Sequence, residues 1–200
     1  GEPTGSTLAV GTKGAMRIVV RTAGRAAHSA YPELGESAIA KLVRLLAELD
    51  TLELPTDPVL GATTINIGAV SGGVADNVIA PAAEARLMAR LVSPDEEVWR
   101  VLERWADGRA AIEQGVTVPA VRLRTLAGFP TSVAAFATDI PSLTHWGTPY
   151  LFGPGSVHVA HTPDEHVSVD ELEMAVGAYV KIAEQALEAL PTSLNPAAGS

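Results

Sequence analysis

The sequence contains no cysteine in its 200 residues, which excludes disulfide bonds and thiolate metal sites. Any bound metal ion would therefore need histidine, aspartate or glutamate ligands. The lack of cysteine also fits a reducing compartment, so we expect a cytoplasmic location. No apolar run approaches the roughly 20 residues that a membrane-spanning helix needs. The first residues lack the basic and then apolar pattern of a secretory signal, so none is expected.

Positive charge is also scarce. The sequence has 14 Lys and Arg against 23 Asp and Glu, which gives a formal net charge of −9. A general nucleic-acid-binding surface is not expected, because neutralising phosphates needs clustered Lys and Arg. Apolar residues, by contrast, make up 47% of the sequence. That share can build the core of one large domain or two small ones.

The middle of the chain alternates between strand and helix patterns. In order, these are a strand at 16–21, a helix at 36–50, strands at 63–70 and 84–92, a helix opened by a capping box at 93–96, and a strand at 116–124. This order predicts a ferredoxin-like βαββαβ domain, an antiparallel four-stranded sheet with two helices on one face. The other face must meet water or a partner. The residues expected to face the core are Ile39, Leu42, Val43, Leu46 and Leu49 on the first helix, and Val98, Val101, Leu102 and Trp105 on the second.

From Thr125 onward the pattern changes. Residues 148–152 predict a short strand, and a capping box at 168–171 opens a long helix. The helix residues expected to point inward are Leu172, Ala175, Val176, Tyr179, Val180, Ala183 and Leu187. One strand and one helix do not form an independent core. We therefore expect residues 1–13 and 125–190 to be fragments of an incomplete α/β domain, interrupted by a domain at 14–124 and followed by a disordered tail at 191–200.

Two distant segments carry candidate metal ligands. Ala160-His161-Thr162-Pro163-Asp164-Glu165 holds an imidazole between a glycine-rich turn and a helix, and Gly1-Glu2-Pro3-Thr4 presents a carboxylate on a short, stiff segment. Together they predict half of a metal site. A local site built from neighbouring histidines is not favoured, because residues three apart converge only on a helix and the Gly-Pro and Thr-Pro flanks oppose a helix here. The other histidines, His145, His158 and His166, are expected to be structural or surface residues.

Six motifs resemble, in order and spacing, the second half of the co-catalytic zinc aminoacylases and exopeptidases, which include acetylornithine deacetylase, succinyl-diaminopimelate desuccinylase and glutamate carboxypeptidase. The motifs are residues 1–4, 24–32, 72–79, 138–139, 152–155 and 160–165, with sequences GEPT, GRAAHSAYP, GGVADNVI, TD, FGPG and AHTPDE. The resemblance implies a catalytic α/β domain with two zinc ions, interrupted by a ferredoxin-like lid that forms a homodimer. It also implies that the remaining metal ligands and the general base lie in a first half that this sequence does not contain.

The resemblance assigns roles to individual residues. Glu2 and His161 would each bind one zinc ion, and cobalt or manganese would also suit such ligands. Glu165 would orient His161 or its loop. His28 would cross the dimer interface and stabilise the oxyanion in the partner's active site.

The substrate contacts implied by the resemblance come from five residues. They are Tyr31, Asn77, Arg90, Thr138 and Gly153. Asn77 would act from the neighbouring subunit, and Arg90 would grip the α-carboxylate of the substrate with its planar guanidinium. Thr138 and Gly153 would shape the pocket beside the metal, and Tyr31 would line the same pocket as His28.

Two functional hypotheses follow, and a third is weaker. The first is metal-dependent hydrolysis of the amide bond of an N-acyl amino acid or short peptide, with this chain inactive by itself. The second is a dimerising, substrate-binding module without activity. A free-standing small-molecule sensor with a ferredoxin-like fold is disfavoured, because it gives no reason for the FGPG and AHTPDE motifs. The deacetylase, desuccinylase and carboxypeptidase branches share all six motifs, which therefore do not select an acyl group.

Overall fold

The structure, a computed structural model, describes residues 1–188. It divides into two compact units. Unit 1 contains Gly1–Gly11, Arg122–Ala134 and the chain from Leu143 onward, and unit 2 contains Thr12–Val121 and Ala135–Ser142. The short segment 135–142 thus belongs to unit 2. The predicted domain boundaries at 13/14 and 124/125 placed it in the other domain. That division into domains stays a prediction, and the tail at 191–200 lies outside the described residues.

The helices and strands follow in chain order. The strands are β1 (Leu8–Thr12), β2 (Ala15–Ala23), β3 (Thr56–Asp57), β4 (Gly61–Ala62), β5 (Thr64–Gly72), β6 (Ala82–Arg90), β7 (Ala111–Val118), β8 (Val121–Arg122) and β9 (Thr131–Ala134). The α-helices are α1 (Ala38–Leu46), α2 (Asp95–Ala106) and α3 (Val169–Glu188). None of the helices within residues 1–188 is long and apolar enough to cross a membrane.

Unit 2 is built on one antiparallel sheet of four strands in the order β5-β6-β2-β7. The chain visits them as β2, α1, β5, β6, α2 and β7. This is the predicted βαββαβ arrangement, which is confirmed. The small hairpin of β3 and β4 lies in the connection between α1 and β5.

The core of unit 2 lies between the sheet and its two helices. Alternate residues of β2, Met16, Ile18 and Val20, are buried there, as the period of two in a half-buried strand requires. The same alternation buries every second residue of β6, from Ala83 to Ala89. The indole Nε1 of Trp105 on α2 donates a hydrogen bond to the Leu45 carbonyl oxygen of α1 at 3.1 Å, which joins the two helices.

The buried face of α1 differs from the predicted one. The helix begins at Ala38, because the Ser37 hydroxyl accepts the Ala40 N–H at 3.2 Å and caps the first turn. Leu42 is 0% exposed whereas Val43 is 55% exposed. Ile39 is also exposed, so the prediction was wrong for Ile39 and Val43 and right for Leu42, Leu46 and Leu49.

The start of α2 and the strand after it were also predicted incorrectly. Pro94 is the N-cap residue, no side chain caps the helix, and the Ser93 hydroxyl donates to the Pro94 carbonyl oxygen at 3.4 Å. The capping box predicted at 93–96 is therefore absent. After α2, Asp107 and Gly108 adopt left-handed φ angles of 38° and 70°, which turn the chain at once into β7. The fourth strand consequently begins at Ala111 rather than at residue 116.

Unit 1 contains a three-stranded sheet in the order β8-β1-β9. Its core is small, with Leu8, Phe152 and Ala175 buried together. The strand predicted at 148–152 is not formed. Leu151 and Phe152 are buried in an extended segment beside β1, and the Ala9 N–H donates to the Leu151 carbonyl oxygen at 2.9 Å.

The long helix α3 has the predicted start but not the predicted buried face. The Ser168 hydroxyl accepts the Glu171 N–H at 3.1 Å and donates to the Glu171 carboxylate at 3.0 Å, so the capping box is confirmed. Only Ala175 of α3 is buried, with Ala178 and Ile182 packed on the core at its side. The other large apolar residues predicted to point inward are exposed, namely Leu172, Val176, Tyr179, Val180 and Leu187. The core of unit 1 is too narrow to cover more than one stripe of the helix.

Candidate active site

The two ends of the described chain meet in unit 1 around a cavity of about 490 Å³. The N-terminal segment Gly1–Pro3 forms one wall, and the turn 153–156 forms another. Glu165 and His166 line the cavity, as does Ala160, and Tyr179 of α3 completes it. The cavity therefore brings the Glu2 segment together with residues on both sides of His161.

Thr4 and Gly153 hold the N-terminal segment in this position. The Thr4 hydroxyl accepts the Gly153 N–H at 3.1 Å, and the Thr4 N–H donates to the Gly153 carbonyl oxygen at 3.3 Å. A β-bridge between Thr4 and Ser156 extends the pairing. A methyl group on Gly153 would overlap the Glu2 carbonyl oxygen, so only glycine allows this approach. Gly153 thus packs against Glu2, and its role as a substrate contact stays a prediction.

His161 occupies a tight turn with an unusual backbone. Its φ angle is 63°, a left-handed conformation that non-glycine residues rarely adopt. The Glu165 carboxylate accepts the His161 backbone N–H at 3.0 Å, and the Glu165 N–H donates to the Thr162 carbonyl oxygen at 3.1 Å. The Glu165 side chain therefore holds the loop of His161 by a hydrogen bond to the His161 backbone N–H. Strained backbone of this kind is concentrated at functional sites.

The candidate ligands form only part of a metal site. Glu2 and His161 are both exposed. Within residues 1–188, no three His, Asp or Glu side chains lie close enough together to hold a metal ion. Two cavity residues, His166 and Tyr179, were not predicted from the sequence. The Tyr179 hydroxyl donates to the Phe152 carbonyl oxygen at 3.0 Å, a contact across 27 residues that no local pattern indicates.

Unit 2 brings three predicted site residues together at one end of its sheet. His28 forms a β-bridge with Val78, and the Ser29 N–H donates to the Asn77 carbonyl oxygen at 2.9 Å. The ring of Tyr31 lies edge-on to the His28 imidazole, with 6.3 Å between ring centroids. The Ala30 N–H donates to His28 Nδ1 at 3.1 Å, so a neutral His28 carries its proton on Nε2. The free Nε2–H is therefore available as a hydrogen-bond donor.

Arg90 and Thr138 lie elsewhere in unit 2. Arg90 ends β6, and the start of that strand pairs with the end of β2 that leads to His28. Arg90 is eight residues from the other end of β6, which corresponds to about 27 Å along the strand. Arg90 therefore does not act on the same atoms as His28 of its own subunit. The Thr138 hydroxyl is buried without a hydrogen-bond partner in the described part of the chain.

Residues 10–112 match the family model of the M20 peptidase dimerisation domain. The chain belongs to the M20 peptidase family. A probable carboxypeptidase of Paracoccidioides lutzii is 37% identical over 213 residues, which cover 94% of this chain and 48% of that protein. A peptidase M20 domain-containing protein of Schizosaccharomyces pombe is 37% identical over 185 residues, covering 91% of this chain and 46% of its own length. The chain thus spans about half the length of the curated M20 relatives that it matches.

Solved structures share the M20 fold. A tripeptidase from Staphylococcus aureus superposes with a TM-score of 0.68 at 21% identity, covering 91% of this chain and 54% of that one. The aminopeptidase PepT from Bacillus cereus gives a TM-score of 0.66 at 21% identity, covering 92% and 55%. These matches confirm the predicted fold of the dimerisation domain. The hypothesis of a free-standing sensor loses its basis, because the M20 match places this domain in a peptidase family.

Proposed function

We propose that this chain is the lid-bearing part of a metal-dependent hydrolase that cleaves the amide bond of an N-acyl amino acid or short peptide. The observation that carries the proposal is the cavity of unit 1, where the Glu2 segment meets Ala160 and Glu165, which stand on either side of His161 in the sequence. A module that only forms dimers would not require these distant parts of the chain to meet in a cavity. The cytoplasmic location expected from the absence of cysteine is part of the proposal.

The donor set fits a partial metal site. A carboxylate and an imidazole are ligands that zinc accepts, and cobalt and manganese accept them too. Glu2 and His161 would each hold one metal ion, and the other ligands and the general base would come from outside this chain. When bound, the two ions would activate a water molecule and polarise the scissile carbonyl. Glu165 would keep His161 in place through the hydrogen bond to its backbone N–H.

His28 would stabilise the oxyanion that forms when water attacks the carbonyl. The hydrogen bond from the Ala30 N–H to Nδ1 supports this role, because it fixes the tautomer that has a proton on Nε2. The ring of Tyr31 lies beside the imidazole in an edge-on arrangement. Asn77 is joined to the same loop through its carbonyl oxygen and would contact the substrate from that side. In a dimer this cluster would serve the active site of the partner.

Arg90 would bind the α-carboxylate of the substrate. It is half-buried and forms no ion pair with any carboxylate of residues 1–188, so its guanidinium keeps its donors for a ligand. The Thr138 hydroxyl, which is buried and has no hydrogen-bond partner within residues 1–188, would serve as a further hydrogen-bonding group for the substrate.

The dimer would form along the edge of β5. This strand is at the end of the sheet, and its Ile67 and Val70 are exposed. The helix α1 packs on β2 and β6, on the same side of unit 2, and exposes Ile39 and Val43. An edge strand flanked by exposed apolar side chains favours pairing with a second copy, which would continue the sheet and cover both surfaces.

An activity assay of the complete gene product with zinc, N-acyl amino acids and short peptides tests the hydrolase proposal. His28→Ala is expected to lower kcat about 100-fold or more with a small change in KM, because an oxyanion donor acts in the transition state. His145→Ala is the control, and it should leave kcat unchanged. If the complete gene product neither binds zinc nor hydrolyses any of these substrates, the alternative of a dimerising, substrate-binding module without activity is correct.

Sedimentation of this chain tests the dimer surface. Val43 on α1 and Val116 on β7 are both exposed valines, at 55% and 70%. Val43→Lys is expected to shift the chain to the monomer, and Val116→Lys should leave the dimer intact. Dissociation by Val116→Lys alone would assign the interface to the β7 edge.

A further inference from the structure

The face of the four-stranded sheet that points away from the helices is rich in arginine. On β2 and β6 the buried residues alternate with residues that face the other way. That outer set contains Arg17, Arg21, Arg86 and Arg90. A cluster of four arginines on one face is unexpected in a chain with a formal net charge of −9.

Only one of the four arginines is neutralised. Arg21 donates to the Glu84 carboxylate at 2.9 Å and to the Glu113 carboxylate at 2.6 Å. No carboxylate within residues 1–188 forms an ion pair with Arg17, Arg86 or Arg90. Both glutamates on this face thus pair with Arg21, and the other three guanidinium groups form no ion pair within residues 1–188.

The register of the sheet places these three charges close together. Arg17 on β2 pairs with Met88 on β6, and Arg86 and Arg90 lie two residues before and after Met88. Arg17 is therefore a diagonal neighbour of both, at about 7–8 Å. Three positive side chains that start at this spacing on one face favour an anion bound between them.

Two glycines lie beside these arginines on the neighbouring strands. A methyl group on Gly115 of β7 would lie 3.2 Å from Arg17 Cβ, and one on Gly68 of β5 would lie 3.4 Å from the Arg86 carbonyl oxygen. Both positions therefore lack a side chain beside Arg17 and Arg86, whereas Thr64 of β5 pairs with Arg90. Val19 and Met88 lie between the arginines and give the surface an apolar floor.

We propose that this sheet face binds an acidic peptide segment in an extended conformation. Along the strand direction Arg86, Arg17 and Arg90 follow each other at intervals of two residues, or about 7 Å. Alternate side chains of an extended peptide have the same spacing, so a Glu-x-Glu-x-Glu segment would present one carboxylate to each guanidinium. Guanidinium and carboxylate groups match in shape and bind through two parallel hydrogen bonds.

A peptide fits this face better than a nucleic acid does. None of the strands β2, β5, β6 and β7 carries an aromatic side chain on which a base would stack. The overall negative charge of the chain opposes a long polyanion and tolerates a short one. The proposal shares Arg90 with the proposed substrate site and goes beyond the hydrolase function through Arg17 and Arg86, which have no role in the proposed catalysis.

Fluorescence anisotropy of this chain with a labelled Glu-Ser-Glu-Ser-Glu-Ser-Glu peptide tests the proposal. The double variant Arg17→Gln and Arg86→Gln is expected to raise the Kd for the peptide about tenfold, because it removes two solvent-exposed ion pairs. The control double variant changes Arg44 and Arg104 to Gln. These residues are exposed on α1 and α2, outside the proposed surface, and their loss changes the net charge by the same amount.

Binding that is lost in the first double variant, kept in the control and absent for the matching Gln-Ser peptide supports the proposal. Equal weakening in both double variants would overturn it, because the attraction would then depend on net charge alone. Failure of the unaltered chain to bind the acidic peptide would overturn it too. Tighter binding of single-stranded DNA than of the peptide would assign the surface to nucleic acid instead. None of these outcomes depends on metal binding or turnover, so the hydrolase proposal is tested separately.

Discussion

The Thr4 hydroxyl accepts the Gly153 N–H at 3.1 Å and joins residues that are 149 positions apart. The same hydroxyl lies 2.6 Å from the Thr7 carbonyl oxygen, to which it donates. The Gly5 N–H adds a hydrogen bond to the Gly155 carbonyl oxygen at 2.8 Å. These contacts attach the segment that carries Glu2 to the glycine-rich turn, and the candidate metal ligand depends on them for its position.

Thr4→Val is expected to destabilise unit 1 by about 1–3 kcal/mol, because it leaves the Gly153 N–H without its acceptor. Thr4→Ser keeps the hydroxyl and should recover most of that free energy of unfolding. Chemical denaturation followed by the fluorescence of the tryptophans and by circular dichroism measures both. If the serine variant is as unstable as the valine variant, the hydroxyl alone does not account for the contribution of Thr4 to stability, and its methyl group is needed as well.

The packing of Gly153 against Glu2 makes a second prediction. Gly153→Ala forces the Glu2 backbone away. It should lower the free energy of unfolding by about 3 kcal/mol, at the upper end of the range for overpacked sites. Gly177→Ala is the matched control. Gly177 is in the interior of α3 with open space around it, so the alanine should stabilise the helix by about 1 kcal/mol. In thermal unfolding, the Tm should fall for Gly153→Ala and rise for Gly177→Ala. A lower Tm for both variants would contradict the packing described for α3.

The helix α1 offers two adjacent residues that test its buried face. Leu42→Ala removes a fully buried side chain of the unit 2 core and should cost about 2–5 kcal/mol. Val43→Ala changes an exposed side chain and should alter the free energy of unfolding of the monomer by less than about 0.5 kcal/mol. A comparison at concentrations low enough to keep the chain monomeric separates core packing from the dimer surface.

The two predicted capping boxes give a direct comparison, because only one of them forms. Ser168→Ala removes the acceptor of the Glu171 N–H and should cost about 1 kcal/mol. Ser93→Ala removes a hydroxyl that caps nothing, so a change within about 0.5 kcal/mol is expected. Equal losses in urea denaturation would mean that the Ser93 hydroxyl contributes to the start of α2.

The dimerisation domain could be predicted from the sequence because its information is local. The strict alternation in β2 and the change to a helical period in α1 each lie within a few residues. The buried face of α1 could not be predicted in the same way. Val43 and Ile39 are as apolar as Leu42, and the packing of α1 on β2 and β6 decides which of them is covered.

The candidate site illustrates the same limit on what a sequence reveals. The resemblance of six short motifs to a known family implied roles for Glu2, His161 and His28, because each stands in one of those motifs. It did not reveal that the Ala30 N–H fixes the tautomer of His28 or that His166 and Tyr179 line the cavity. Those relations depend on loop conformation and on contacts between distant residues, which no periodic pattern encodes. The same holds for the sheet arginines that form no ion pair within residues 1–188, since this depends on which glutamates Arg21 contacts.

The ion pair between Glu48 and Arg109 makes the stability of unit 2 depend on pH. Arg109 donates to both carboxylate oxygens of Glu48, at 2.7 Å and 2.8 Å. The hydrogen bonds and the charge of Arg109 lower the pKa of Glu48 below its ordinary value of 4.5. A carboxyl group with a lowered pKa stabilises the folded state above its unfolded pKa, and this stabilisation is lost as the pH falls through the folded value. Both side chains are exposed, so salt should weaken the effect.

Glu48→Gln is therefore expected to lower the Tm slightly at neutral pH and to make the fall of Tm below about pH 4.5 shallower. Circular dichroism melts from neutral to acidic pH, at low and at high salt, measure both effects. Glu53→Gln is the control, since Glu53 is exposed and forms no ion pair with any of residues 1–188. A Glu48→Gln variant whose melting curve follows that of the unaltered chain at every pH would show that the ion pair contributes nothing. The physical reason would then be that the entropy of ordering two long side chains offsets their attraction in water.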